Sequence, residues 1–385
     1  MTELEETHDL LAELIAFRTV SSDSNLSMIQ HLEGRLKHVG ADVQIWHDDT
    51  GNKANLFATL GPMQDGGIVL SGHSDVVPVE DQEWSSDPFN MVERGGNWYG
   101  RGACDMKGFI AAAVVMASRY SRLDLKRPVH FAFTYDEEVG CFGARALAET
   151  LREKKLRPAV AIIGEPTSMR IIEGHKGCYE YTTHFSGLEG HGSDPDKGVN
   201  AVEYAVRYVG KLLDLKAELM RRAPADSRYD PMWTTVSTGR MIGGVAHNVI
   251  PGRARVDWEM RPVQRSDAQY VIEELRQFCI HGLLPEMRAV YAEADIVTEV
   301  IGEVEGLQPM EENQARDLVK ELTGGNSVDV VPFGTEAGIF QYFGMDVVVC
   351  GPGSIDQAHK ADEFVSKEQM AKCLEMLKQL SPKLT

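Results

Sequence analysis

Five stretches of the chain carry histidine and carboxylate side chains that can bind a metal ion. Each follows a short apolar run or opens a helix, and they are Ser71-Gly-His73-Ser-Asp75, Gly100-Arg-Gly-Ala-Cys-Asp105-Met-Lys-Gly108, Thr134-Tyr-Asp136-Glu137-Glu138-Val-Gly140, Gly164-Glu165-Pro-Thr167 and Gly351-Pro-Gly-Ser-Ile-Asp-Gln-Ala-His359. In open α/β sheets ligands gather beyond the carboxyl ends of the strands, so we expect these side chains to meet in one crevice. Carboxylates in proximity raise one another's pKa, and a divalent cation relieves that repulsion. Nitrogen and oxygen ligands without a thiolate fit Zn²⁺, with Co²⁺ or Mn²⁺ as substitutes, and an open coordination position suits hydrolysis.

Each stretch taken alone has an ordinary structural explanation. A single histidine after a strand is usually a structural residue. The acidic run 136–138 suits the first turn of a helix, where negative charge is favourable, and the glycine-rich run 100–105 suits a turn with a helix cap. The joint occurrence of all five, each at a strand end or a helix start, favours a metal site.

The elements that must position these residues can be predicted from hydrophobic periodicity. Nearly continuous apolar runs predict strands buried on both faces at 67–73, 129–135, 160–164, 327–333 and 345–350. Amphipathic stretches predict helices at 4–17, 26–39, 107–122, 143–155 and 366–384. This alternation predicts an α/β fold with a helix-covered, largely parallel mixed sheet.

The middle of the chain has a different pattern. Strands predicted at 179–185, 234–241 and 254–261 alternate apolar and polar residues, and long helices are predicted at 200–222 and 266–288. We therefore predict an inserted α+β domain over 178–290, within a catalytic domain formed by 1–177 and 291–385.

Composition excludes some classes of partner. The chain has 385 residues, 43% of them hydrophobic and 25% charged, which is typical of a globular protein. Its 39 basic and 58 acidic residues give a net charge of −19, which disfavours nucleic acid and anionic membranes as partners. No secretory signal or spanning apolar run is present, and the six cysteines are scattered, so a reducing, cytoplasmic location is expected.

These motifs resemble a known family, the co-catalytic zinc deacylases and exopeptidases, over essentially the whole chain. Three further stretches resemble the members that release acetate from N²-acetyl-L-ornithine in arginine biosynthesis, and they are Gly190-His-Gly-Ser-Asp-Pro-Asp-Lys-Gly-Val-Asn-Ala201, Gly334-Thr-Glu-Ala337 and Gly351–Phe364. The resemblance implies a metal-dependent amidohydrolase of the zinc exopeptidase-like fold, acting on a small N-acyl amino acid. It also implies that the insert serves as a lid and as the contact of a homodimer.

Carried over position by position, the resemblance implies two zinc ions per subunit. Asp105 would bridge them. His73 and Glu165 would complete one site, and Glu138 and His359 the other. A cis peptide bond between Asp105 and Met106 is also implied.

The catalytic groups follow from the same resemblance. Glu137 would be the general base, which takes a proton from water and delivers it to the leaving amine. Asp75 would orient His73 by accepting its second ring N–H. His191 would stabilise the oxyanion in the partner subunit's site, although its local sequence equally suits a surface loop.

Substrate contacts are implied in two places. Asn248 and Arg261 resemble the family's grip on the α-carboxylate, with Lys176 as a further polar contact. A strand-end salt bridge is the alternative for Arg261. Thr335 and Glu336 would contact the rest of the substrate, and the Glu336 carboxylate would pair with the δ-ammonium of ornithine. Stabilisation of a helix start explains Glu336 equally well.

Other functions remain open from the sequence. Acetylcitrulline, succinyl-diaminopimelate or a broad set of acylated amino acids are alternative substrates. A non-catalytic relative that binds such molecules is a second alternative, opposed by the retention of Glu137. A cysteine hydrolase with Cys104 or Cys141 as nucleophile is a third, and no histidine base is evident near either.

Overall fold

The computed structural model describes residues Met1–Thr385, which divide into two units. The first unit comprises Met1–Gly174, Leu307–Val330 and Thr335–Thr385, and the second comprises His175–Gly306 with Val331–Gly334. The second unit is thus built almost entirely from one continuous stretch of chain. No helix is both long enough and apolar enough to span a bilayer.

The elements alternate along the chain. The helices are α1 (Glu3–Ala16), α2 (Leu26–His38), α3 (Lys107–Tyr120), α4 (Phe142–Glu153), α5 (Ala201–Arg221), α6 (Arg265–Phe278), α7 (Leu284–Val290), α8 (Gln314–Thr323), α9 (Ala337–Tyr342) and α10 (Lys367–Gln379). The strands are β1 (Asp42–His47), β2 (Ala54–Leu60), β3 (Ile68–His73), β4 (Val92–Arg94), β5 (Asn97–Tyr99), β6 (Val129–Thr134), β7 (Val160–Pro166), β8 (Ile171–His175), β9 (Cys178–Ser186), β10 (Gly190–His191), β11 (Thr235–Gly243), β12 (Val249–Ile250), β13 (Arg253–Arg261), β14 (Asp295–Val304), β15 (Val328–Val331), β16 (Asp346–Gly351) and β17 (Phe364–Ser366).

An eight-stranded mixed sheet, in the order β1-β2-β6-β3-β7-β16-β8-β15, forms the centre of the first unit. Its four middle strands, β6, β3, β7 and β16, are mutually parallel, while β1–β2, β2–β6 and β16–β8 pair antiparallel. Every residue of β2, β3, β6 and β7 is buried, as expected for a sheet covered by helices on both faces. This confirms the predicted helix-covered α/β fold.

Close packing brings α3 against the sheet. A Cβ atom at Gly164 would lie 1.9 Å from Cγ of Phe109 on α3, so only glycine allows the ring to contact β7. At the start of the same helix, the buried Lys107 Nζ donates to the carbonyls of Leu14 (3.0 Å) and Phe17 (2.8 Å) at the end of α1. A cation suits this position, because the carbonyl end of a helix carries partial negative charge. These contacts fix the start of α3.

The second unit is an antiparallel sheet in the order β11-β13-β9-β14. Helices α5 and α6 pack on one face, where Tyr208, Leu212, Val256 and Trp258 are buried together. The sequence assigned residues 291–306 to the catalytic domain, but β14 pairs along its length with β9 and therefore extends this sheet.

The helix predicted over 266–288 is interrupted. It consists of α6, a π-helical turn at Cys279–Leu283, and α7, which has a proline at its start. Pro285 has no backbone N–H and clashes with the preceding turn, so a regular helix cannot pass through it.

Candidate metal centre

The carboxyl ends of the parallel strands bring the expected metal-binding residues together. His73 is the last residue of β3, and Glu165 lies near the end of β7. Glu138 follows β6, His359 follows β16, and Asp105 stands just before α3. Because β6, β3, β7 and β16 are neighbours with the same direction, their ends meet at one edge of the sheet.

Asp105 lies between the two histidines. Its Oδ1 is 2.9 Å from Nε2 of His73, and its Oδ2 is 3.4 Å from Nε2 of His359. Each histidine also faces one glutamate: His73 Nε2 is 3.7 Å from Glu165 Oε1, and His359 Nε2 is 3.0 Å from Glu138 Oε2. The two carboxylate oxygens of Asp105 are therefore directed to different halves of the cluster.

The ligand atoms are close enough to share a metal ion. Those of His73, Glu137 and Glu165 all lie within 4.8 Å of one another, and so do those of His73, Asp105 and Glu138. Glu137 thus lies beside the group rather than apart from it. His359, which follows β16, belongs to neither of these sets, although its Nε2 lies close to Asp105 and Glu138; its side chain is about half exposed (52%).

The electrostatics of the cluster favour a cation. Burial raises the pKa of Glu137, Glu138 and Glu165, and neighbouring carboxylates add to the effect. Burial also acts to raise the pKa of Asp105, but hydrogen bonds from the two histidines outweigh it and lower that pKa below its ordinary value. Oε1 of Glu165 is buried and has no hydrogen-bond partner. A buried carboxylate oxygen without a donor, among nitrogen and oxygen groups only, fits a divalent cation.

Asp75 has a different role from the one expected. Nδ1 of His73 lies 2.9 Å from the backbone carbonyl of Asp75 and 3.7 Å from its carboxylate, so the main chain orients the ring. The carboxylate instead accepts the backbone N–H groups of Glu137 (3.1 Å) and Glu138 (3.3 Å) and the hydroxyl of Ser21 (2.7 Å). Asp75 therefore holds the turn that presents both glutamates.

Ser21 and Lys53 are contributors that the sequence did not reveal. Lys53 Nζ bonds the Asp136 carboxylate and the Ser21 carbonyl, both at 2.5 Å. Asp136 has a left-handed φ of 54° at the start of the glutamate turn. Ser21 and Lys53 lie in loops, where no spacing or periodicity distinguishes them from ordinary surface residues.

Glu336 and Thr335 lie in the same unit as the cluster. Glu336 is fully buried, and its two oxygens accept the hydroxyls of Ser71 (2.6 Å) and Thr134 (2.7 Å). It therefore connects β3 to β6 through residues close to the ends of both strands. Thr335 Oγ1 accepts the N–H of Ala337 (3.1 Å) at the start of α9.

His191 and Asn248 lie in the second unit, on two adjoining loops. Both are exposed, and Nδ1 of His191 is 2.7 Å from the Ser193 hydroxyl. The N–H of Gly192 donates to the Asn248 carbonyl (2.8 Å), next to the β10–β12 pair. The structure thus brings these two predicted residues together.

Arg261 and Lys176 each have partners within the second unit. Arg261 donates from Nε and Nη2 to the Glu259 carboxylate, which is the strand-end salt bridge anticipated as its alternative. Lys176 is buried and donates to the backbone carbonyls of Pro231 (2.7 Å) and Trp233 (3.0 Å).

The two cysteines considered as nucleophiles are poorly suited to that role. Cys104 and Cys141 are buried, and burial raises the pKa of both thiols well above its usual value. A reactive cysteine needs a lowered pKa and access to substrate. The peptide bond between Asp105 and Met106 is cis, as the family resemblance implied.

Known proteins are similar to this chain in sequence and in fold. The chain is 33% identical to an acetylornithine deacetylase of Klebsiella pneumoniae (strain 342), over 97% of this chain and 96% of that protein. It is 35% identical to an acetylornithine deacetylase of Myxococcus xanthus, over 94% and 93% of the two chains. The M20 family metallo-carboxypeptidase Sso-CP2 of Sulfolobus solfataricus has a similar structure, with a TM-score of 0.76, 18% identity, and coverage of 98% of this chain and 99% of that one. The family model of Peptidase family M20/M25/M40 matches residues 69–382, and the chain therefore belongs to this family of metallohydrolases.

Proposed function

We propose that the protein is a zinc-dependent amidohydrolase that cleaves N²-acetyl-L-ornithine to L-ornithine and acetate in arginine biosynthesis. The observation that carries this proposal is the position of Asp105, with one carboxylate oxygen toward each histidine of a buried anionic cluster. The names of the full-length relatives support acetylornithine as the substrate.

The cluster offers ligands for two cations. His73 and Glu165 would hold one, Glu138 and His359 the other, and Asp105 would contribute an oxygen to each. Nitrogen and oxygen donors without thiolate support Zn²⁺, with Co²⁺ or Mn²⁺ as substitutes. Bound cations of this kind supply Lewis acidity, which polarises a carbonyl and lowers the pKa of water towards neutrality.

Glu137 is the proposed general base. Its backbone N–H is held by Asp75, so its carboxylate is presented at the cluster without being needed as the second-site ligand. It accepts a proton from the attacking water and donates it to the amine nitrogen as the C–N bond breaks, which leaves acetate and a free amino group. Positioned bases of this kind contribute about 10²–10⁴ to a rate.

The second unit supplies the remaining proposed groups. His191, with Asn248 beside it, is proposed to stabilise the oxyanion in the partner subunit's site, and its exposure supports that role. Arg261 is proposed to bind the substrate carboxylate, because its side chain is about one third exposed (33%) although Glu259 occupies one edge of the guanidinium. Lys176 is proposed as a further polar contact.

A homodimer through the second unit is proposed as well. The outer strands β11 and β14 are largely exposed and carry apolar side chains, such as Ile242 (44% exposed) and Val300 (56%). Unpaired strand edges of this kind favour association with another chain. Light scattering on the purified protein tests the dimer, and a monomeric mass at working concentration opposes it.

A cytoplasmic location stays a prediction, supported by six cysteines that form no disulfide.

One observation favours a wider choice of acylated amino acid. Glu336, expected to pair with the ornithine ammonium, is fully buried and accepts hydrogen bonds at both oxygens. Recognition of that ammonium therefore requires other groups. Acetylcitrulline, acetylmethionine and succinyl-diaminopimelate are the substrates against which acetylornithine must be compared.

The test is amine release from these four substrates by metal-free and Zn²⁺-loaded protein. We expect zinc-dependent turnover with a clear preference for acetylornithine. Zinc-dependent turnover of another member of the panel would keep the mechanism and replace the substrate. Absence of turnover with both metals bound would favour a non-catalytic binding protein, and the Glu137→Gln variant gives the matched baseline.

A further inference from the structure

Glu363 lies just before β17 and holds the turn that leads to Asp105. Its side chain is 1% exposed. Oε1 accepts the backbone N–H groups of Cys104 (2.9 Å) and Asp105 (3.0 Å). Oε2 accepts the N–H of Gly102 (3.0 Å) and Nη1 of Arg101 (2.7 Å). Three main-chain donors of one turn thus converge on a single buried carboxylate.

This convergence fixes the backbone of Asp105 independently of its side chain. The N–H of Asp105 is itself bound by Glu363, and Gly102 has a left-handed φ of 81° that turns its N–H toward the same group. The side chain of Asp105 reaches both histidines from this anchored backbone. A shift of the turn would therefore move both Asp105 oxygens together.

Arg101 adds a second contact to the segment that carries His359, to which Glu363 itself belongs. Its side chain is 1% exposed, and Nη2 donates to Oε1 of Gln82 (2.6 Å) and to the Pro78 carbonyl (3.3 Å). Nε2 of Gln82 donates in turn to the backbone carbonyl of His359 (2.9 Å). A continuous chain of hydrogen bonds thus joins the backbones of two metal-binding segments, through Glu363, Arg101 and Gln82.

We propose that Glu363 and Arg101 form a positioning clamp, which fixes Asp105 relative to His359 and thereby sets the affinity of the centre for its divalent cations. The proposal rests on the proposed function only in requiring that the centre binds metal. Residues that orient metal ligands from outside the coordination shell typically change metal affinity by about 10–100-fold when they are replaced.

The first experiment is a Co²⁺ titration of metal-free protein, followed by the visible absorption of the bound ion and without substrate. In Glu363→Gln a single amide oxygen replaces the two carboxylate oxygens that now accept four hydrogen bonds. We therefore expect the Co²⁺ affinity at one or both sites to fall by about 10–100-fold. The absorption band should also change shape, because the ligand geometry relaxes. Asp362→Asn removes the same charge from the adjacent residue, whose partner is Ser85, and should leave affinity within about twofold.

A second variant separates positioning from loss of a buried ion pair. The double variant Arg101→Gln/Glu363→Gln leaves no unpaired buried charge, and thermal unfolding shows whether its fold is retained. The clamp requires that its Co²⁺ affinity stays low, since the backbone donors still lack a carboxylate. Recovery of wild-type affinity would show that only the ion pair mattered and would overturn the proposal.

The remaining outcomes are also distinct. Gln82→Ala cuts the chain to His359 at a half-buried residue, so it should weaken Co²⁺ binding by a few-fold even if the buried variants unfold. Wild-type affinity in both Glu363→Gln and Gln82→Ala would overturn the clamp while leaving the proposed function intact. Failure of the unaltered protein to bind Co²⁺ would overturn the proposed function and the clamp together.

Discussion

Protonation of one buried histidine should destabilise the first unit in mild acid. His130 lies on β6, is 4% exposed, and stacks on Phe57 with ring centroids 5.0 Å apart. Its Nδ1 is 2.9 Å from the Thr59 hydroxyl, and a Cβ atom at Gly67 would lie 2.2 Å from its Nε2. No carboxylate is among these neighbours. Burial therefore lowers the pKa of His130 from 6.5 to about 4.

The magnitude follows from the difference between the folded and unfolded states. The unfolded chain binds a proton at His130 near pH 6.5, whereas the folded chain resists it until about pH 4. Stability from this group is therefore present above pH 6.5 and is lost as the pH falls toward 4. With about 1.4 kcal/mol per pKa unit, the loss approaches ~3 kcal/mol in all, of which ~2 kcal/mol falls between pH 7 and pH 5.

The assay is urea unfolding of metal-free protein at pH 7 and pH 5, followed by tryptophan fluorescence. Trp46 stacks on Phe57, with centroids 5.9 Å apart, and so reports on the same region of the sheet. His130→Gln removes the titrating group. The difference in unfolding free energy between this variant and the wild-type protein should therefore be ~2 kcal/mol smaller at pH 5 than at pH 7. His38→Gln, at an exposed position on α2, should show no such change. A deficit for His130→Gln that is equal at both pH values would refute the reasoning.

Four further outcomes are expected. Glu137→Gln should lower kcat by about 10²–10⁴ while Co²⁺ still binds, and near-normal turnover would exclude it as the base. Ser21→Ala removes one donor to Asp75 and should lower kcat about fivefold, with Ser21→Thr as the control that keeps a hydroxyl. A chelator should abolish activity and Zn²⁺ should restore it. A thiol alkylator should have no effect on the folded enzyme, because Cys104 and Cys141 are buried. Inactivation by the alkylator with metal retained would favour a cysteine mechanism. His191→Ala should lower kcat without changing metal content, and mixing with Glu137→Gln protomers should regain activity; lack of rescue would oppose a shared site.

The meeting of the candidate metal-binding stretches at one edge of the sheet was predictable from local signals, whereas the metal role of each residue was implied only by the family resemblance. His73 and Glu165 end buried apolar strands, and parallel strands of one sheet must end at the same edge. Hydrophobic periodicity therefore predicts that these two side chains lie at the same edge of the sheet.

The contacts that hold the ligands were not predictable in the same way. The sequence places Asp75 near His73, but nothing in the spacing decides between its carboxylate and its backbone carbonyl as the partner of the ring. Glu363 depends on the path of a turn more than 250 residues earlier in the chain, and three of its contacts there are to backbone N–H groups. Donors of this kind are present in every residue except proline, so residue type gives no indication of them.

Some elements were missed although a signal was present. Asn313 caps α8 by accepting the N–H of Arg316, and an asparagine before an amphipathic stretch is a typical helix start. For β14 the sequence signal was weak. Most of its residues are exposed, and apolar and polar residues do not alternate regularly along it. Its assignment to the second sheet required the pairing with β9.

The order of strands in the central sheet has a consequence for biosynthesis. β16 lies between β7 and β8 but is made near the end of translation, after the whole second unit. Until it emerges from the ribosome, the fully buried strand β7 has an unpaired edge, and the nascent chain also lacks His359. Exposed apolar edges of this kind invite aggregation and engage chaperones. A ribosome that stalls before residue 346 therefore leaves a chain that can neither close its sheet nor complete its metal centre, and such fragments should be cleared rather than accumulate.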